Sequence, residues 1–185
     1  MSQSARSEAL VVGGSRAEQE RWTEALVPLV RPTAVADGAA ALERIDSEVD
    51  VLLVHRDLPD QAASDLVVRA REQGYTFRAA LLAETTPEED VVEQGFDTWL
   101  LTPVEEELLT RTVEGLLACR RYDRAISNLY TLASEQATEG TDTMTGRERV
   151  EAARAEADAA LEAVDTIDRE ALLANSPAVF RDEES

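Results

Sequence analysis

The chain has 185 residues, 44% of them hydrophobic, and carries 38 acidic against 18 basic residues, which gives a formal net charge of −20. This length accommodates one domain of ordinary size and an additional segment, while the negative charge disfavours binding to nucleic acid phosphates and to anionic lipid. Cys119 is the only cysteine, so the sequence excludes an intrachain disulfide and a thiolate metal cluster.

Short apolar runs alternate with segments of helical period between residues 9 and 117. The run at residues 49–54 is apolar except for Asp50, and its apolar residues are consecutive instead of alternating, which indicates a strand buried on both faces. This alternation predicts an α/β fold with a five-stranded, doubly wound parallel sheet. The predicted strands are residues 9–12, 33–36, 49–54, 77–82 and 98–101, and the predicted helices lie around residues 22–29, 41–45, 66–70, 88–94 and 105–117.

The sequence after residue 117 contains no further strand pattern and is rich in alanine, glutamate and arginine. One helical face carries Tyr122, Ile126, Leu129 and Leu132, and a break follows at residues 139–146, where Thr145 and Glu148 fit a capping box. A mostly alanine stripe then repeats at helical spacing, which predicts a helical hairpin or coiled coil. The stripe is Val150, Ala153, Ala157, Ala160, Val164 and Ile167. We therefore predict a domain at residues 1–117, a helical segment at 118–174 and a flexible tail at 175–185.

Ligands of such a sheet bind at the carboxyl ends of the strands, so the residues just after each strand are the most informative. These segments, together with the turn at residues 95–97, resemble the response-regulator receiver family, and the resemblance covers residues 9–117. It implies the flavodoxin-like receiver fold and a role in a two-component phosphorelay network. The segments are Gly13-Gly14, His55-Arg56-Asp57-Leu58-Pro59, Ala83-Glu84 and Thr102-Pro103.

The resemblance also implies a phosphorylation pocket, from which this chain departs. Receivers end the first strand with two acidic residues that hold magnesium, and the third with the aspartate that accepts phosphate. A Thr or Ser ends the fourth strand, and a Lys precedes the proline after the fifth, so that the phosphoryl charge is neutralised. We interpret the chain as a pseudo-receiver without metal or cofactor, which keeps Pro103 but not the reactive side chains. The departures are Gly13, Gly14, His55, Ala83 and Thr102.

His55 and Asp57 each allow a second interpretation. His55 could accept a phosphoryl group on nitrogen, but without magnesium ligands or a lysine the residue is better explained as filling the pocket. Asp57 alone offers one carboxylate, too few ligands for a dedicated Mg²⁺ site, and is better explained as a solvated loop acid.

Three features near the strand ends also have alternative interpretations. Gly13-Gly14-Ser15 could begin a nucleotide-binding loop, but the G-x-G-x-x-G pattern is absent and Ser15 with Glu18 fits a capping box. Thr102 precedes a proline and is therefore a candidate cap for the last helix of the domain. Trp99 stands where receivers have a switch aromatic, and is either a switch-like residue or simply a half-buried aromatic.

The segment from Arg120 through Tyr130 resembles the HalX domain that follows receivers in salt-loving archaea. Independently, every basic residue is an arginine and the acids are spread along the chain, which favours a halophilic protein whose self-repulsion is screened by concentrated salt. The residues up to Glu8 lack the apolar stretch of a signal peptide, and no window approaches a membrane span, so we expect a cytoplasmic protein without membrane contact.

These features predict a phosphate-independent adaptor that binds other signalling proteins through its fourth helix, fifth strand and fifth helix, a face that could also form a homodimer. The alternative is a transcriptional regulator that binds DNA through its C-terminal helices. Against DNA binding, the basic cluster is limited to Arg120, Arg121 and Arg124. An enzyme is disfavoured because no nucleophile is paired with a base and there is one histidine.

Overall fold

A computed structural model describes residues 6–139 and 144–165 of the chain. Five parallel strands form one sheet in the order β2-β1-β3-β4-β5, which confirms the predicted fold class. The strands are β1 (Glu8–Val12), β2 (Arg31–Val35), β3 (Val49–His55), β4 (Arg78–Ala83) and β5 (Thr98–Leu101), and the helices are α1 (Arg16–Leu26), α2 (Gly38–Arg44), α3 (Ala63–Glu72), α4 (Glu106–Glu139) and α5 (Met144–Asp165).

The described chain divides into two compact units, which meet in sequence between Leu117 and Ala118. The first unit contains the sheet, α1, α2, α3 and the residues of α4 up to Leu117. The second contains the remainder of α4 and α5.

The sheet of the first unit separates two hydrophobic cores. Every residue of β3 is buried, including Asp50 and His55, as its run of consecutive apolar residues predicts, because successive side chains of a strand point to opposite faces. On one face, Leu52 packs with side chains of α2 and α3. On the other face, Leu53 packs with side chains of α1 and of the first turns of α4.

The predicted helix at residues 88–94 is wrong, since the chain forms turns at residues 91–95. Val91 is the buried residue of this stretch, whereas Val92 is 67% exposed, so no apolar stripe anchors a helix. The Asp90 carboxylate accepts a hydrogen bond from the Val92 amide at 2.8 Å, a local bond that competes with helix formation. The Thr86-Pro87 sequence therefore does not start a helix.

Two predicted helix caps are also wrong. Helix α4 begins at Glu106, and the Leu109 amide donates to the Glu105 carbonyl, so Thr102 lies too early in the chain to cap it. The predicted helices before and after residue 117 are one continuous helix. Helix α5 begins at Met144, so Thr145 lies inside the helix and not at its cap.

The alanine stripe of the second unit has its two most protected positions at Ala153 and Ala157, which are 3% and 4% exposed. Its other described members, Val150, Ala160 and Val164, are half-buried. The last predicted member, Ile167, and the predicted tail at 175–185 lie outside the described residues.

Candidate functional site

The sheet places the predicted site residues along one edge, where the parallel strands end. Val12 of β1 pairs with Val54 of β3, and His55 pairs with Leu82 of β4. Backbone bonds continue this pairing one step past the strands, since the Thr102 amide donates to the Ala83 carbonyl at 2.9 Å. The edge thus contains Gly13, His55, Ala83 and Thr102 at the ends of four neighbouring strands.

The backbone of Gly13 and Gly14 adopts a conformation that suits glycine and not an acidic residue. Their φ angles are +78° and +80°, in the left-handed region that side chains with a Cβ rarely adopt. A Cβ added to Gly13 would lie 2.5 Å from Leu58 Cδ2 and 3.1 Å from the Cβ of His55. One added to Gly14 would lie 3.0 Å from Trp22 Cζ3. Apolar side chains therefore occupy the space next to both glycines.

Ser15 and Glu18 form the predicted capping box at the start of α1. The Ser15 hydroxyl accepts from the Glu18 amide at 3.3 Å, and Glu18 Oε2 accepts from the Ser15 amide at 2.8 Å. The hydrogen bonds from Ser15, first from its amide and then from its hydroxyl, lower the pKa of Glu18. The cap thus contributes stability above the unfolded pKa of a glutamate, which is lost as the pH falls through the lowered value. The amides of Ser15 and Glu18 are thus bonded within the cap, and the Gly13 amide donates to the Val35 carbonyl, so these three amides are engaged within the protein.

His55 is 6% exposed, and its ring is held by the loop that follows it. The Asp57 amide donates to His55 Nδ1 at 3.2 Å. Nδ1 is thus the acceptor of this bond. The side chain of Asp57 itself is exposed.

Asp60 has a positioning role that the sequence analysis missed. Its carboxylate accepts from the amides of Gly38 at 2.9 Å and Ala39 at 2.8 Å, at the start of α2. Both bonds lower the pKa of Asp60, and the bond from the Gly38 amide has the largest effect. A Cβ on Gly38 would overlap the Gln61 side chain, so the loop after β3 lies directly against α2. No local pattern indicates this contact, because Gly38 and Asp60 are 22 residues apart in the sequence.

Of the remaining site residues, Ala83 and Trp99 are packing positions, whereas Pro103 is exposed. Ala83 is completely buried, and Trp99 is 6% exposed in the core on the α3 face, where it packs with Phe96 and Val91. Trp99 is thus more buried than the half-buried aromatic of our prediction. The Thr102-Pro103 peptide bond is cis.

Within residues 6–139 and 144–165, no group of three or more His, Cys, Asp or Glu side chains is arranged to hold a metal ion. No helix within them combines the length and the apolar character that crossing a membrane requires.

Comparison with known proteins gives one sequence relative. No protein-family model matches the chain. A protein of Haloferax volcanii described as a "Putative transcriptional regulator" is 35% identical over 134 residues, which cover 67% of this chain and 23% of that protein. The chain thus spans less than a quarter of the length of this curated relative.

Solved structures extend the comparison to the fold. The signal receiver domain of an HD domain-containing protein from Pseudomonas fluorescens is 21% identical with a TM-score of 0.59, covering 67% of this chain and 96% of that one. The CheY-like receiver domain from Methylobacillus flagellatus is 23% identical with a TM-score of 0.51, covering 55% and 91%. The chemotaxis protein CheY4 of Vibrio cholerae is 24% identical with a TM-score of 0.57, covering 61% and 100%. Strand order, strand direction and these likenesses show that the sheet and its helices have the flavodoxin-like fold of response-regulator receiver domains.

Proposed function

We propose that this chain is a pseudo-receiver, a signalling protein of a two-component network that acts through protein contacts and is neither phosphorylated nor an enzyme. The observation that carries the proposal is the end of β1, where Gly13 and Gly14 replace the acidic pair and both have positive φ. Leu58 and Trp22 lie against these glycines, so apolar atoms stand beside the positions from which receivers hold magnesium.

The chemistry of phosphoryl transfer supports the same proposal. Mg²⁺ needs several oxygen ligands, and the transferring phosphoryl group needs positive charge around its oxygens. At this edge the acceptor position is the buried His55, the hydroxyl position is Ala83 and the lysine position is Thr102. The carboxylate of Glu18, which lies beside Gly14, would repel a phosphoryl group.

The proposed partner surface lies in the first unit. It comprises residues 84–97, β5 and the first turns of α4, and it carries the exposed side chains of Val92 and Leu101, which are 67% and 37% exposed. Because the chain forms turns where receivers have their fourth helix, we expect this surface to select different partners from those of an ordinary receiver. A homodimer through the same surface belongs to this proposal.

The proposed second domain is a HalX-like helical segment at residues 118–174. The buried alanines Ala125 of α4, and Ala153 and Ala157 of α5, support a hairpin of closely packed helices. The relative from Haloferax volcanii supports a halophilic archaeal setting, in which a lysine-free, acidic chain remains soluble in the cytoplasm.

The first test is phosphorylation. Acetyl phosphate or beryllofluoride with Mg²⁺ should leave tryptophan fluorescence unchanged, because no carboxylate pair binds the cation. Trp22, whose ring edge is next to Gly14, makes the measurement sensitive to events at the site. An ordinary receiver treated in parallel shows that the reagents are active.

Phosphoprotein detected on acid- and base-discriminating gels would contradict the proposal. The matched variant is His55→Ala. Loss of such a signal in this variant would assign the phosphoryl group to His55 and make the chain a phosphate acceptor after all.

A second candidate function, DNA binding, is favoured by the description of the Haloferax volcanii relative. Charge argues against it, since Arg120 is 8% exposed and only Arg121 and Arg124 of the basic cluster are exposed. We expect binding to labelled duplex DNA at 0.2 M salt to be weaker than about 10⁻⁴ M, the weak limit of non-specific binding. Fluorescence anisotropy measures this, and tighter binding that disappears in an Arg121→Gln, Arg124→Gln variant would establish the DNA-binding alternative.

A further inference from the structure

We infer that Gly13, Gly14, Leu58 and Trp22 form an apolar latch that holds the loops after β1 and β3 in one fixed arrangement. This inference rests on the proposed function, because it describes what replaces the cation and phosphoryl contacts at the site. It goes beyond that function because it assigns these four residues a structural role, which is to fix the positions of the two loops.

The first observation is that the latch joins the two cores across the end of the sheet. Leu58 packs against the core on the α3 face, and Trp22, 1% exposed, belongs to the core on the α1 face. The two side chains reach the end of β1 from opposite faces and contact consecutive glycines. The absence of a Cβ at these glycines is what permits both contacts.

The second observation is that polar bonds brace the same loops. The Gly13 amide donates to the Val35 carbonyl at 3.0 Å, and the Gln19 side-chain amide donates to the carbonyls of Gly13 and Val35 at 3.0 and 3.1 Å. The loop after β3 is tied to α2 through the two bonds of Asp60. Leu58 belongs to the loop after β3, and Gly13 belongs to the loop after β1. The contact between them therefore connects the two loops.

A double-mutant cycle tests the latch. Gly13→Ala should raise the unfolding equilibrium constant about ten-fold or more, through positive-φ strain and displacement of Leu58. Leu58→Ala should raise it by a similar factor, because packing at the loop is lost. In the double variant the new methyl group enters the space that Leu58 vacates, so the combined effect should be at least about three-fold smaller than the product of the single effects.

Gly74 supplies the matched control. Its φ is +90°, but a Cβ there has no atom within 4 Å. Gly74→Ala therefore introduces the same kind of backbone strain without touching a neighbour. The unfolding equilibrium constant of the Gly74→Ala, Leu58→Ala double variant should therefore rise by the product of the two single factors, to within about two-fold, as expected for independent sites. If the factors for Gly13→Ala and Leu58→Ala also multiply in this way, the latch is overturned.

Hydrogen exchange provides a readout that simple loss of stability does not reproduce. In Leu58→Ala, exchange of the Asp57 amide, which is bonded to His55, should accelerate about ten-fold more than exchange of the β3 amides, because the loop opens locally. Equal acceleration of both sets would show that Leu58 is an ordinary core contact, which also overturns the latch. Neither result affects the phosphorylation test, since Leu58→Ala still lacks the acidic pair and the acceptor aspartate.

Discussion

Replacing Ala153 and Ala157 together by glutamate should abolish the ordered structure of α5. Both alanines are almost fully buried, and a carboxylate placed at either position loses its hydration without gaining a partner, at a cost of several kcal/mol. The other contacts of the alanine stripe offset little of this cost, because alanine side chains bury little apolar area. Far-ultraviolet circular dichroism should show the loss of helical signal from the 22 residues of α5.

The control substitutes the same residue type on the opposite side of the helix. Ala155 and Ala159 are exposed, so Ala155→Glu with Ala159→Glu should retain the helical signal. We expect the hairpin to form within one chain, because intramolecular pairing avoids the entropy of association. Light scattering in high salt that showed the buried pair of substitutions converting a dimer to a monomer would instead establish an intermolecular coiled coil.

Transfer from 2 M to 0.02 M salt should lower the melting temperature by at least about 10 °C, equivalent to roughly 2–3 kcal/mol. The net charge is −20, and acids are adjacent and exposed at residues 88–90 and 105–107. Their mutual repulsion extends further in dilute buffer, where the screening length grows from roughly 3 Å at 1 M to roughly 30 Å at 0.01 M. Calorimetry or thermal circular dichroism measures the shift.

Two variants with opposite charge changes test the cause. Glu88→Gln with Glu89→Gln should reduce the dependence of the melting temperature on salt. Arg16→Gln, which removes an exposed positive charge, should increase it. A melting temperature that stays constant or rises in dilute buffer would show that charge repulsion does not limit the stability of this chain.

The strands were predictable because their physical signal is local. Residues 49–54 are apolar except for Asp50, and a run this short and this apolar favours a strand covered on both faces. The observed strands begin and end within two residues of the predicted ones. It was also predictable that the residues after the strands lie together, because parallel strands bring their carboxyl ends to one edge of the sheet.

The errors arose where structure depends on contacts between distant parts of the chain. The acids and valines of residues 88–94 are compatible with a helix, but only Val91 finds a place in the core. Leu58, which is far from Gly13 in sequence, occupies the space beside that glycine, and the role of Asp60 depends on Gly38. Neither relationship follows from local propensity, so the sequence indicated which side chains the pocket lacks but not what fills it.

The glycine pair also has a consequence for any attempt to restore the acidic pair. Acidic residues introduced at positions 13 and 14 alone would each place a Cβ on a left-handed backbone and against Leu58 or Trp22. An acidic pair here would therefore need coordinated replacement of the glycines and of their apolar neighbours. Under the proposed function, the backbone of this loop is thus itself a barrier to regaining control by phosphate.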